Sequence, residues 1–343
     1  MEYVNLGNSG LKVSRICLGC MTYGSPATGK LLPGRQPWAL SEADSVPFFR
    51  QALDLGINFF DTANVYSGGD SEIVVGRFLK ANTRRESIVL ATKVCSPMRE
   101  EPNGRGLSRK EIVFELDQSL KRLETDYVDL YQIHRWDYST PIEETLDALD
   151  SLVRAGKVRY LGASSMAAWQ FSKALHIAKE HGWHRFIAMQ NHYNLIYREE
   201  EREMIPLCVD QGVGVIPWSP LARGFFARSR QPESGAEMTK RAQTDDFARN
   251  MYFREDDFKV AEAVAQVAGE HGVTPTQIAC AWILQAPGVT APIIGATKTH
   301  HLKELFDAVD IRLTAAEVEA LEKPYRPHPI LGHEQPSAAK MME

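Results

Sequence analysis

Residues 108–134 read SRKEIVFELDQSLKRLETDYVDLYQIH, and the change of pattern inside this run decides the fold class. Ser108 with Glu111 three positions later has the form of a capping box, in which a hydroxyl and a carboxylate satisfy the first free amides of a helix. Ile112, Leu116, Ser119, Leu120 and Leu123 then recur at helical spacing on one face. From Val128 to Ile133 the apolar residues become nearly continuous and lose that period, as expected of a parallel strand buried on both sides. A capped amphipathic helix running straight into such a strand is one unit of an alternating α/β fold.

The same alternation extends to both ends of the chain. Strands are expected at Ile16–Leu18, Asn58–Phe60, Ile88–Thr92, Val128–Ile133, Arg159–Gly162, Ile187–Gln190, Val213–Pro217 and Pro292–Ile294. Further helix starts stand at Ser41, at Thr140 followed by Pro141, and at Thr274 followed by Pro275. Eight strand–helix pairs without a GxGxxG turn predict a single (β/α)8 TIM barrel over residues 1–343, not an open doubly wound sheet. Gly7-Asn8-Ser9-Gly10 reads as the turn of an N-terminal β-hairpin, Tyr3–Leu6 with Leu11–Val13, across the barrel bottom. Residues 223–253 are expected to form a long functional loop, and the chain after Tyr325 an extended tail.

The bulk numbers narrow the function. A net charge of −5 over 343 residues gives no basic surface for nucleic acid or an acidic membrane. No run of about 18 apolar residues is present and no signal peptide is read, so a cytoplasmic enzyme is expected. Five scattered cysteines read as reduced, structural thiols. The histidines have neither HxH nor HExxH spacing, so no metal is expected.

Active sites of such barrels sit at the C-terminal ends of the strands. That rule selects Asp61 and Tyr66 after the second strand, Lys93 at the end of the third and His134 at the end of the fourth. Taken singly, Asp61 reads equally as a strand-end cap, Lys93 as its ion-pair partner and His134 as a core histidine. Taken together they suit proton delivery. A cation beside a phenol favours phenolate, a carboxylate fixes that cation, and a histidine orients a carbonyl.

These residues also carry a family resemblance. Gly56-Ile57-Asn58-Phe59-Phe60-Asp61-Thr62-Ala63 with Tyr66, Ala91-Thr92-Lys93 and Gln132-Ile133-His134 resemble, in order and spacing, the signatures of the aldo-keto reductase superfamily. Leu18–Gly24, His134–Tyr138 and Tyr193–Glu199 resemble especially its bacterial YajO-like branch. The resemblance implies reduction of aldehydes or ketones with NADPH, Tyr66 being the general acid, Lys93 and Asp61 tuning it, and His134 positioning the carbonyl. It implies that Ser164, Ser165 and Gln190 hold the nicotinamide amide and that Trp218 stacks on its ring. It assigns the pyrophosphate to Ser219, Leu221, Arg223 and Gly224. It assigns the adenosine end, with its 2′-phosphate, to Gly295, Thr297, Lys298, His301 and Glu304. Tyr23, Trp38 and Trp136 are candidate walls for a small-molecule carbonyl or alcohol substrate. Alternative readings are a cofactor-binding regulatory subunit with negligible turnover, a metal-dependent lyase or hydrolase using Asp61 and His134, and a role on phosphorylated sugars.

Overall fold

A computed structural model describes residues 1–25, 36, 38–226 and 251–333. Most of the expected loop 223–253, and the end of the tail, lie outside the described residues. The chain opens with the expected hairpin, β1 (Tyr3–Asn5) against β2 (Lys12–Ser14), with Val4 opposite Val13.

Eight parallel strands follow: β3 (Cys17–Gly19), β4 (Phe59–Asp61), β5 (Val89–Val94), β6 (Val128–Ile133), β7 (Val158–Ser164), β8 (Phe186–Gln190), β9 (Gly214–Val215) and β10 (Ile293–Ile294). They neighbour one another in chain order, and β10 pairs with β3. The ring closes between β9 and β10, where the Thr290 amide donates to the Val215 carbonyl at 2.8 Å and the Ile293 amide to the Pro217 carbonyl at 2.8 Å. This is a (β/α)8 barrel. Among the described residues before β9, the connections hold α1 (Glu42–Asp54), α2 (Asp70–Asn82), α3 (Arg109–Leu123), α4 (Ile142–Arg154), α5 (Ala168–Glu180) and α6 (Met204–Gln211). Beyond residue 251 come α7 (Glu255–His271), α8 (Pro275–Gln285), α9 (Thr299–Asp307) and α10 (Ala315–Glu322).

The expected caps form in part: Glu111 does not complete the box at Ser108, because its carboxylate is taken by Arg99 at 2.6 Å. Ser41, Ser108 and Thr274 each accept the backbone amide three residues on. Thr140 does not cap α4; its hydroxyl donates to Asp137 Oδ2 at 2.8 Å, and the helix starts at Ile142 behind Pro141.

Strand alternation splits the core into two layers. Cys17, Phe59, Val89, Ala91, Leu130, Ala188 and Ile216 point into the barrel, where Leu6 and Val13 of the hairpin plug the bottom. Leu18, Phe60, Leu90, Tyr131 and Met189 point outward against the helices. All five cysteines are buried and free. Burial raises the thiols of Cys17 and Cys20 well above their ordinary range, so the CxxC pair offers no thiolate near neutral pH. Among the described residues no helix is long and apolar enough to cross a membrane.

Phe59 is fully buried in the narrow interior layer. Phe59→Ala should therefore cost about 3–5 kcal/mol, because the surrounding strands cannot collapse into the space. Denaturant unfolding followed by circular dichroism would read this, and a loss below about 1 kcal/mol would show that Phe59 does not fill the barrel.

Candidate active site

One step above the apolar layer, the same inward positions become polar. Asp61 lies two residues after Phe59, Lys93 two after Ala91, Gln132 two after Leu130, and Gln190 two after Ala188. All four are buried. Gln132 Nε2 and Gln190 Nε2 donate to Asp61 Oδ1 at 2.9 and 3.0 Å, and Gln190 also reaches Gln132 Oε1 at 3.2 Å. Lys93 Nζ donates to Asp61 Oδ2 at 2.5 Å and to the Thr62 carbonyl at 2.8 Å.

The chain leaving β4 is tied to β5 beside it. The Thr62 amide donates to the Ala91 carbonyl and the Asn64 amide to the Lys93 carbonyl. Asn64 Nδ2 donates to the buried Glu115, and the Thr92 hydroxyl to the buried Glu72. Ser67, Gly68 and Gly69 then take positive φ, turning the chain into α2; at Gly69 a Cβ would come within 2.9 Å of Arg122 Cδ. This anchored turn lays Tyr66 over Lys93, with the phenol oxygen 3.4 Å from Nζ and the ring centroid 4.9 Å away. His134 meets Tyr66 edge to face, with centroids 5.8 Å apart.

The electrostatics of the four differ. Burial alone would lower Lys93, but the Asp61 contact and the neighbouring phenol outweigh it and hold the ammonium above its ordinary range. Tyr66 is raised: burial exceeds the opposing pull of Lys93, so the phenol stays protonated at neutral pH. The cation therefore moderates the effect of burial; it does not bring the phenol below its ordinary value. Burial, then the charges of Arg135 and Lys93, push His134 well below 6.5 and keep it neutral. Its Nδ1 is buried without a partner.

Above this group opens a cavity of about 1110 Å³, larger than most small-ligand pockets. Asp61, Tyr66, His134, Ser164, Gln190, Trp218, Ser219, Leu221, Arg223, Gly224, Gly295, Thr297, Lys298, His301, Glu304 and Trp38 all line it. Ser165, at φ +42°, sits one layer back, where its hydroxyl accepts the Trp218 indole N–H at 2.9 Å. Two of the three proposed substrate walls do not line the cavity. Tyr23 is fully buried against Phe48 and Phe49, its hydroxyl 3.3 Å from the Ala296 carbonyl, because a neighbouring helix claims its ring. Trp136 is buried beside the exposed Trp169, with ring centroids 6.3 Å apart.

The cavity suits a dinucleotide. Arg223 and Lys298 line it with cations, and Ser164 and Gln190, at the ends of β7 and β8, line it with a hydroxyl and an amide. α9 starts at Thr299 with no acidic residue in its first turn and no side-chain cap, so its positive end would favour a bound anion. Gly224 stands at φ +91° with open space where a Cβ would go. The Ala222 and Gly224 amides are bonded inside their turn, to the Ser219 and Leu221 carbonyls.

Gln132, Arg135, Ser96 and the start of α8, Thr274 to Thr276, also belong to the site and were not singled out from the sequence. Period-two alternation back from His134 would have found Gln132.

Comparison with known proteins agrees with this geometry. The profile described as Aldo/keto reductase family matches residues 15–326. The chain belongs to the aldo/keto reductase family. It is 43% identical to a versiconal hemiacetal acetate reductase of Aspergillus parasiticus over 96% of this chain and 98% of that protein. It is 42% identical to an aldo-keto reductase of Metarhizium robertsii, over 97% and 93% of the two chains. An aldo-keto reductase of Alternaria alternata is 41% identical over 96% and 93%. These relatives are fungal, so the resemblance holds at the level of the family and not specifically for a bacterial YajO-like branch. As a member, the chain is an oxidoreductase of carbonyl compounds.

Lys93 is 0% and Asp61 2% exposed at the side chain, so removing one leaves the other charged and dry. Lys93→Met should cost about 3–5 kcal/mol, and Asp61→Asn with Lys93→Met should recover part of that. Thermal unfolding of both variants would show it; equal loss in the two would mean that the pair carries no coupling.

Proposed function

We propose that this barrel, acting as one unit, reduces aldehydes or ketones to alcohols with NADPH, Tyr66 serving as general acid. The observation that carries the reading is the Tyr66 hydroxyl set 3.4 Å from a buried ammonium that is itself fixed by Asp61. Bound NADPH would supply the hydride to the carbonyl carbon. The protein's share is orientation and a proton. Tyr66 faces the cavity and gives its hydroxyl proton to the oxygen that gains charge, and Lys93 stabilises the phenolate left behind. Neutral His134, beside Tyr66, keeps a carbonyl oxygen directed at the phenol.

Trp218, Ser164 and Gln190 would hold the nicotinamide, with Ser165 bracing Trp218. Ser219, Leu221, Arg223 and Gly224 would take the pyrophosphate. Gly295, Thr297, Lys298, His301 and Glu304 would surround the adenosine end, where Lys298 at the start of α9 favours a 2′-phosphate and so NADPH over NADH. Trp38 would form part of the substrate wall.

Mixing the protein with NADPH and 4-nitrobenzaldehyde should lower absorbance at 340 nm. Tyr66→Phe should reduce the rate by about 10²–10⁴-fold while NADPH affinity is retained; full activity in that variant would remove Tyr66 from the mechanism.

The raised phenol also fixes the pH response. A proton donor with an elevated pKa remains loaded as pH rises, so kcat should stay level through neutrality and decline only above about pH 10, the ordinary value for tyrosine. A decline centred near pH 7 would contradict a buried, protonated Tyr66.

A further inference from the structure

Trp218 is half-buried, with one side toward the cavity. Its other side is occupied. The His192 ring stacks on it at a centroid distance of 4.3 Å and 14° between planes, and the Tyr197 ring stacks on His192 at 4.0 Å and 17°. The three rings form a continuous pile leading away from the cavity. His192 is 1% exposed, and burial, reinforced by Arg223 and nearby histidines, holds it neutral.

The pile is pinned at its edges. His192 Nε2 lies 2.7 Å from the Tyr252 hydroxyl, while Nδ1 is buried without a partner. A bare nitrogen at Nδ1 is less costly than a stranded N–H, which favours the tautomer in which Nε2–H donates to Tyr252 at 2.7 Å over one in which Nε2 accepts from Asn194 Nδ2 at 3.4 Å. The Trp218 indole N–H donates to Ser165, and Gly332 closes on the indole edge so tightly that a Cβ there would come within 2.9 Å of Cζ2. Tyr197 is tied to the same tail segment, accepting the Leu331 amide at 3.0 Å. None of these groups touches the reacting atoms, yet each removes a freedom of the Trp218 plane.

We propose that His192 is a positioning residue for cofactor binding: its ring, by stacking behind Trp218, fixes the plane on which the nicotinamide lies. The inference rests on the NADPH reading above. A ring that only filled core volume would affect the fold as a whole. A ring that sets the Trp218 plane affects the nicotinamide half of the cofactor and leaves the adenosine half alone, because Lys298 and His301 stand at the start of α9, an element that contributes none of the three stacked rings.

The two contributions of His192, ring and hydrogen bond, can be separated. His192→Gln keeps a donor for Tyr252 and loses the ring; His192→Phe keeps the ring and loses the donor. Dissociation constants for NADPH and for adenosine 2′,5′-bisphosphate, which lacks the nicotinamide, would be measured by calorimetry on the full chain. The Gln variant should bind NADPH about 3–10-fold more weakly and the bisphosphate unchanged, the range expected for one aromatic stack. The Phe variant should bind both within about 2-fold of wild type. Equal weakening of both ligands in the Gln variant, or loss of NADPH affinity in the Phe variant, would overturn the proposal, and the Phe result decides alone if the Gln variant does not fold. Should the wild-type protein bind neither ligand, the NADPH reading itself falls, an outcome separate from a failed variant pattern.

Discussion

The site depends on one buried ion pair. Lys93 and Asp61 meet at 2.5 Å inside a barrel, directly above a layer of packed apolar side chains. Removing two charges from water is costly, and their attraction offsets that cost only when the remaining lone pairs and protons are also satisfied. Here they are: Asp61 Oδ1 accepts two side-chain amides, and Lys93 donates to the Thr62 carbonyl and faces the Tyr66 hydroxyl. The polar layer is closed on itself except toward the cavity, which is where Tyr66 and His134 stand.

That arrangement sets two tendencies against each other. Burial raises the phenol and lowers the imidazole, while the fixed ammonium pulls the phenol back and pushes the imidazole further down. The result is a protonated tyrosine next to a neutral histidine, a donor beside an uncharged guide. The carboxylates behind the β4 exit, Glu72 and Glu115, do for the turn what Asp61 does for the lysine: each accepts a buried polar group and so fixes where Tyr66 can point.

The same logic extends across the cavity to the cofactor side. Trp218 is held by a hydroxyl at its nitrogen and a ring on one face. Precise placement of reacting groups needs such support, since a side chain free to tilt loses the geometry that lowers a barrier.

From the sequence alone, strand–helix alternation and apolar periodicity determined the barrel, the hairpin and the strand ends bearing Asp61, Tyr66, Lys93 and His134, because those patterns are local and burial enforces them. Three things needed the fold. One is the direction of the Tyr66 shift, which depends on how far burial outweighs one cation and so on surroundings contributed by distant strands. Another is which aromatics face the cavity: Tyr23 and Trp136 have the same chemistry as Trp38, and only packing against Phe48, Phe49 and Trp169 separates them. The last is the set of residues acting through others, Gln132, Ser165 and His192, whose partners lie 71, 53 and 26 positions away along the chain. Strand alternation places Gln132 on the inward face, but which partner each of the three takes over such a span leaves no local pattern, so tertiary structure alone decided the contacts.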